Sequence, residues 1–287
     1  MLLCINGCTN NDENEPGIKT LEKAPDSLAN VYDELNSILE NLGKIERIDL
    51  HINFDDEETG FEQEGVTAEE EGENPQSGAE DSESNEEETS QGQESNQEGS
   101  HQESSDSSDE VSSDDKIKET WLTIDKSLED IYLYWSDYVN EATKKGITQE
   151  RITAFKNSIN KLTKAIEERN IIDNYDFASQ SLSNLKPFFG LYKDEYRGEI
   201  AEIRYIVYRY YINAINNNDE AAMDAVNSRE ETINRIRMAI GDDEDKIKNL
   251  EKVVASLNNL GISLEDNSKR VYILEKDTLI KNLESLE

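Results

Sequence analysis

Tyrosine and arginine side chains crowd one predicted helix in the C-terminal half of the chain. The candidate binding residues among them fall within eight positions: Arg204, Tyr205, Tyr208, Arg209 and Tyr211. Tyr and Arg are enriched among the residues that dominate binding interfaces, so this segment is a candidate surface for a ligand or a protein partner. Aromatic residues at helical spacing also build helix cores with their hydroxyls at the edge, and we favour that interpretation.

A run of acidic residues is the candidate metal site. Asp242, Asp243 and Asp245 belong to the densest carboxylate cluster in the C-terminal half. Carboxylates are ligands of hard cations such as calcium. Acidic residues also stabilise the first turn of a helix through its dipole, and we expect that role here. The sequence therefore predicts no bound metal and no cofactor.

Histidine-dependent chemistry is excluded from the C-terminal part of the chain. The whole chain has two histidines, His51 and His101, so no His follows residue 101. A di-iron site of the ferritin type needs Glu-x-x-His on two helices, and zinc sites and Ser-His-Asp triads also need His. The two cysteines, Cys4 and Cys8, precede the predicted folded region. We therefore predict that the protein is not an enzyme.

Negative charge is concentrated in one tract. The formal net charge is −36, and residues 55–115 contain 24 acidic and no basic residues. Such a polar, self-repelling segment cannot bury enough apolar surface to offset the entropy cost of ordering, so we predict a disordered acidic linker. Nucleic acid is excluded as a partner because phosphate contacts need Lys and Arg.

The first eight residues resemble the end of a bacterial lipoprotein signal. Ile5-Asn6-Gly7-Cys8 resembles a lipobox, and a polar spacer follows from Thr9. A complete signal needs a basic segment and a longer apolar segment, so we expect Met1 to lie inside a longer signal. The resemblance implies lipidation of Cys8, attachment to the membrane through that lipid, and an extracytoplasmic location on the bacterial cell.

An amphipathic helix is predicted over residues 26–45, ahead of the acidic tract. Its apolar residues repeat every three or four positions, and Gly43 marks its C-terminal region. Such a helix is only marginally stable alone. It must therefore pack either on the C-terminal bundle, which we favour, or on a partner. Residues 50–54 alternate in polarity and form a possible short strand.

The C-terminal part is predicted to be a helical bundle. Periodic apolar residues predict helices from Lys116 to about residue 144 and from Thr148 to about residue 166, as antiparallel neighbours. One long central helix is expected over 178–217. One long or two collinear helices are expected between 222 and 257, with Gly261 as a stop. The last stretch is helical from about Glu275, whereas residues 270–274 could form a strand.

These patterns predict an all-α fold, an elongated up-down bundle of four or more long helices. The predicted parts are the signal remnant (1–8), a polar spacer with the amphipathic helix (9–54), the acidic linker (55–115) and the bundle domain (116–287). The expected function is a non-enzymatic surface lipoprotein whose bundle binds an unidentified protein or small-molecule partner. The alternative is a small-ligand or cation-binding component of a transporter or sensor.

Overall fold

A computed structural model describes residues 22–52, 112–193 and 195–287. Within these ranges all regular structure is helical, which confirms the predicted all-α fold. The α-helices are α1 (Asp26–Asp49), α2 (Ser113–Lys144), α3 (Gln149–Glu167), α4 (Ile171–Phe189), α5 (Glu195–Ile215), α6 (Asp219–Asn227), α7 (Glu230–Ile240), α8 (Glu244–Ser263) and α9 (Lys269–Glu284), with a 3₁₀ turn at Leu264–Asp266. The acidic tract up to Val111 lies outside the described residues, whereas residues 113–115, predicted as the end of the linker, belong to α2.

Side chains cap many of the helices at their N-termini. In each case a side-chain oxygen accepts a hydrogen bond from a backbone N–H three residues further on, which satisfies a donor that the helix leaves free. The capping residues are Ser112, Asn170, Asn218, Asp243 and Ser268. Most helix starts are therefore fixed locally.

Helix α1 is part of the main core, as its broad apolar stripe predicts. It packs on α2 and α4, and its stripe is almost completely buried. The buried apolar residues are Leu28, Val31, Tyr32, Leu35, Ile38, Leu39, Leu42 and Ile45. The helix runs through Gly43, whose missing side chain leaves room beside the Tyr175 hydroxyl and the Lys276 ammonium. Of the possible strand at 50–54, the described residues 50–52 do not form a strand, and residues 53–54 lie outside the described residues.

Helices α4 and α5 form the centre of the bundle. They pack closely on each other, while α1 and α3 cover α4 and α6, α7 and α9 cover α5. The prediction of one continuous helix over 178–217 is wrong, because the chain turns between Gly190 and Lys193 and α5 folds back on α4. Gly198 allows this close approach, since a Cβ there would lie 3.1 Å from the Lys186 backbone.

The last third of the chain contains more and shorter helices than its apolar pattern predicts. The predicted helical region from 222 to 257 is three helices, with breaks after Asn227 and at Gly241, which has a left-handed φ of 59°. Gly261 does not end a helix, because α8 continues to Ser263. The possible strand at 270–274 is the first part of α9. Short helices with the same apolar phase produce the same periodicity as one long helix.

Candidate functional site

The structure divides the five tyrosine and arginine candidates of α5 into two groups. Arg204, Tyr208 and Tyr211 are buried, whereas Tyr205 is half-buried and Arg209 is exposed. The buried three lie on the side of α5 that faces the core, so they are not available to a ligand. The core interpretation therefore holds for three of these residues, and the surface interpretation stays open for two.

The buried tyrosines surround a lysine from α9. Lys276 is 1 % exposed, and its ammonium lies 5.2 Å from the ring centres of Tyr175 and Tyr211 and 5.8 Å from that of Tyr208. It donates a 2.7 Å hydrogen bond to Asp277. The electron-rich faces of aromatic rings stabilise a cation, most strongly where water is excluded. This arrangement satisfies the ammonium inside the protein and leaves no space for a ligand.

A buried glutamate of α1 completes this polar core. Glu46 accepts hydrogen bonds from the hydroxyls of Tyr175 and Tyr211 and pairs with Lys269 of α9 at 3.2 Å. Burial raises the pKa of both tyrosines far above the ordinary value, so both hydroxyls remain protonated and donate. Beside them Arg47 pairs with Asp277 at 2.9 Å. The cluster joins α1, α4, α5 and α9, and its role is structural.

The two accessible candidates on α5 form a small ridge between polar clefts. Arg209 donates to the Tyr205 hydroxyl at 3.4 Å. On one side lies an open cleft of about 470 Å³ between α4 and α5, where Asp173 and Asp176 face Arg209 and burial raises the pKa of Asp176. Arg209 is exposed, the two carboxylates are half-buried, and their opposite charges partly compensate in a cleft that is open to solvent.

The acidic candidates lie at the start of α8. Asp243 caps the helix by accepting from the Lys246 backbone N–H at 3.1 Å, while Asp242 and Asp245 are exposed. In the described ranges, no group of three or more His, Cys, Asp or Glu side chains converges as metal ligands would. The geometry is that of the helix start that the sequence favours. Cys8, the predicted lipidation site, lies outside the described residues.

A groove between α2 and α3 is the candidate binding site that the sequence did not reveal. The two helices are joined by a short link, yet they touch over little of their length because α2 packs on α1 and α3 packs on α4. The space between them is a cavity of about 390 Å³, open on one side. Its lining residues are Ile131, Tyr132, Trp135, Ser136, Val139, Gln149, Ile152, Phe155, Lys156 and Ile159.

The floor of the groove is rigid and aromatic. Phe155 is fully buried, and its ring centre lies 4.1 Å from that of Trp135. Trp135 also meets Phe188 of α4 edge-on at 5.2 Å. Tightly packed aromatic rings of this kind hold their positions in the free protein. The floor is therefore formed before any ligand arrives, as is usual for small-molecule sites.

Tyr132 closes one end of the groove. Its ring is 41 % exposed, and its hydroxyl reaches across from α2 to Thr163 of α3 at 2.9 Å and to Asn160 at 3.2 Å. The link between α2 and α3 closes the other end. From Tyr132 to Val139 the open stretch of α2 is about 10 Å long at 1.5 Å per residue. That length suits a ring system or a short acyl chain, and it is too short for a partner helix of several turns.

The comparisons with known proteins identify no relative. No family model, no curated protein and no solved structure matches this chain. In the described part of the chain, no helix is both long enough and apolar enough to cross a membrane.

Proposed function

We propose that this chain is a non-enzymatic, lipid-anchored binding protein of the bacterial cell surface, and that its helical bundle holds an apolar or amphiphilic small molecule in the α2–α3 groove. The observation that carries the proposal is the groove itself. Its lining is mostly aliphatic and aromatic, its floor is preformed, and a few polar groups, such as Ser136 and Gln149, line it as well. Small-molecule sites in proteins have this composition.

The same geometry favours a ligand over a protein partner. Tyr132 obstructs one end of the groove, so an amphipathic helix could not lie along it. A component that delivers its ligand to a transporter or sensor is therefore the second candidate function. The open side of the groove suits such a role, because a ligand could leave without unfolding any helix.

Filling the groove with a larger side chain should strongly weaken the binding of an apolar ligand. Ser136→Phe places an aromatic ring among the lining residues, whereas Asn157→Phe adds the same ring to an exposed position of α3 outside the groove. We expect N-phenyl-1-naphthylamine, a neutral apolar dye, to brighten with the wild-type chain and with Asn157→Phe. Ser136→Phe should weaken its binding at least tenfold, since much of the buried apolar contact is lost. Equal binding by all three proteins, or none by the wild type, would refute the proposed site.

The anchor is proposed from the lipobox resemblance and has its own test. A lipidated chain should partition into the detergent phase when cells expressing the native gene are extracted with Triton X-114. Cys8→Ser should move the protein entirely to the aqueous phase, because a diacylglyceryl anchor supplies most of the membrane affinity. Cys4→Ser is the matched control and should change nothing. Detergent partitioning of the Cys8→Ser protein would show that the anchor lies elsewhere.

A further inference from the structure

The charge that lines the groove is positive, although the protein as a whole is strongly acidic. Lys156 is the one charged side chain among its lining residues. It is exposed, and within the described ranges it forms no ion pair. A flexible ammonium at the edge of an apolar cavity is able to pair with an anionic group while the rest of the ligand stays in the groove.

The helix that carries this lysine is locally basic. Helix α3 contains four basic and two acidic residues, in a chain whose net charge is −36. Fixed charges further away than about 8 Å are largely screened at physiological salt, so the local charge decides which ligand is preferred. An anionic group of a ligand is therefore favoured at the edge of the groove that α3 forms, although the whole chain is negatively charged.

From this arrangement we infer that the groove selects amphiphilic anions: an apolar ring or short acyl chain lies over Trp135 and Val139, and a carboxylate or another single anionic group pairs with Lys156. This inference rests on the proposed function, because it names the ligand class of the same site. The binding energy comes mainly from apolar burial, and the ion pair gives the preference among ligands of equal length.

A matched series of ten-carbon ligands separates these contributions. Decanoate, decanol and decyltrimethylammonium share one apolar chain and differ in charge, provided the pH is well above the carboxyl pKa. Each is titrated into the full chain below its micelle concentration, with binding heat as the readout. We expect decanoate to bind about fivefold more tightly than decanol, as a solvent-exposed ion pair allows, and the cation to bind most weakly.

Two lysine variants assign the preference to a residue. Lys156→Met keeps the length of the side chain and removes its charge, so decanoate should bind no better than decanol while decanol binding is unchanged. Lys161→Met is the control on the same helix, since that lysine lies beside Phe177 of α4 and does not line the groove. It should leave the preference for decanoate intact.

The possible results are distinguishable. If decanol binds and decanoate binds no more tightly, the inferred ligand class is wrong and the proposed function stands. If decanoate is preferred equally by wild type and Lys156→Met, the role of Lys156 is wrong, and with it the inference. If none of the three ligands binds, both the inference and the proposed function fail.

Discussion

Glu46→Ala should lower the free energy of unfolding by about 2–6 kcal/mol, because it removes the acceptor of two buried hydroxyl groups. The carboxylate accepts from two buried tyrosine hydroxyls, Tyr175 and Tyr211, and pairs with Lys269. Its removal leaves these donors without an acceptor inside the protein. Each buried unsatisfied donor costs about 1–3 kcal/mol, whereas the side chain of Lys269 is 49 % exposed, so its ion pair adds little.

Glu40→Ala is the matched control for this prediction. Glu40 lies on the same helix and is also ion-paired, with Lys44 at 2.7 Å, but its side chain is 61 % exposed. Exposed pairs of this kind contribute only about 0.3–0.5 kcal/mol. Urea unfolding followed by circular dichroism measures both variants. Similar losses from the two substitutions would mean that the polar core of Glu46, Tyr175, Tyr211 and Lys276 is not the junction described above.

The helical character of the chain is predictable because it depends on local pattern. The stripe of α1 from Leu28 to Ile45 is buried along its whole length, and α2 and α3 follow their predicted apolar faces. Breaks between helices are less visible. The turn that ends α4 near Gly190 keeps the apolar phase on both sides, so periodicity alone could not separate α4 from α5.

The polar core is harder to predict, because it depends on contacts between residues far apart in sequence. Glu46 and Lys276 each occupy a position on the apolar stripe of their helix, but this placement does not show which residues of other helices pair with them. Only the packing of α1 and α9 around α4 and α5 brings Glu46, Tyr211 and Lys276 together. The tyrosines partly indicated this polar core, because several of them on α5 imply buried hydroxyls that need hydrogen-bond partners.

The groove was not predicted for a different reason. Trp135 belongs to the same apolar stripe of α2 as Ile131 and Tyr138, and a stripe shows which face is apolar without showing what covers it. Here α1 covers one part of that face, and α3 touches the rest only in places, such as Phe155 against Trp135, so the groove stays open. Apolar residues that fall outside the stripe, such as Leu122, Tyr132, Leu133 and Val139, are the sequence signal that α2 has a second apolar side.

The position of the ligand is the second prediction with a large expected effect. The chain has two tryptophans, both on α2: Trp135 lines the groove, and Trp121 lies under the guanidinium of Arg169 at 4.7 Å. Their separation of 14 residues corresponds to about 21 Å along the helix. A bromine atom quenches tryptophan emission only at contact, so a brominated ligand in the groove should quench Trp135 and leave Trp121 unaffected.

The most direct measurement of the central claim is therefore a titration of the full chain with 10-bromodecan-1-ol in two single-tryptophan variants. With Trp121→Phe, only Trp135 emits, and we predict strong, saturable quenching that unbrominated decanol does not produce. With Trp135→Phe, only Trp121 emits, and we predict no quenching over the same range. Quenching of Trp121 to the same extent as Trp135, or no quenching of Trp135, would contradict the assignment of the α2–α3 groove as the ligand site.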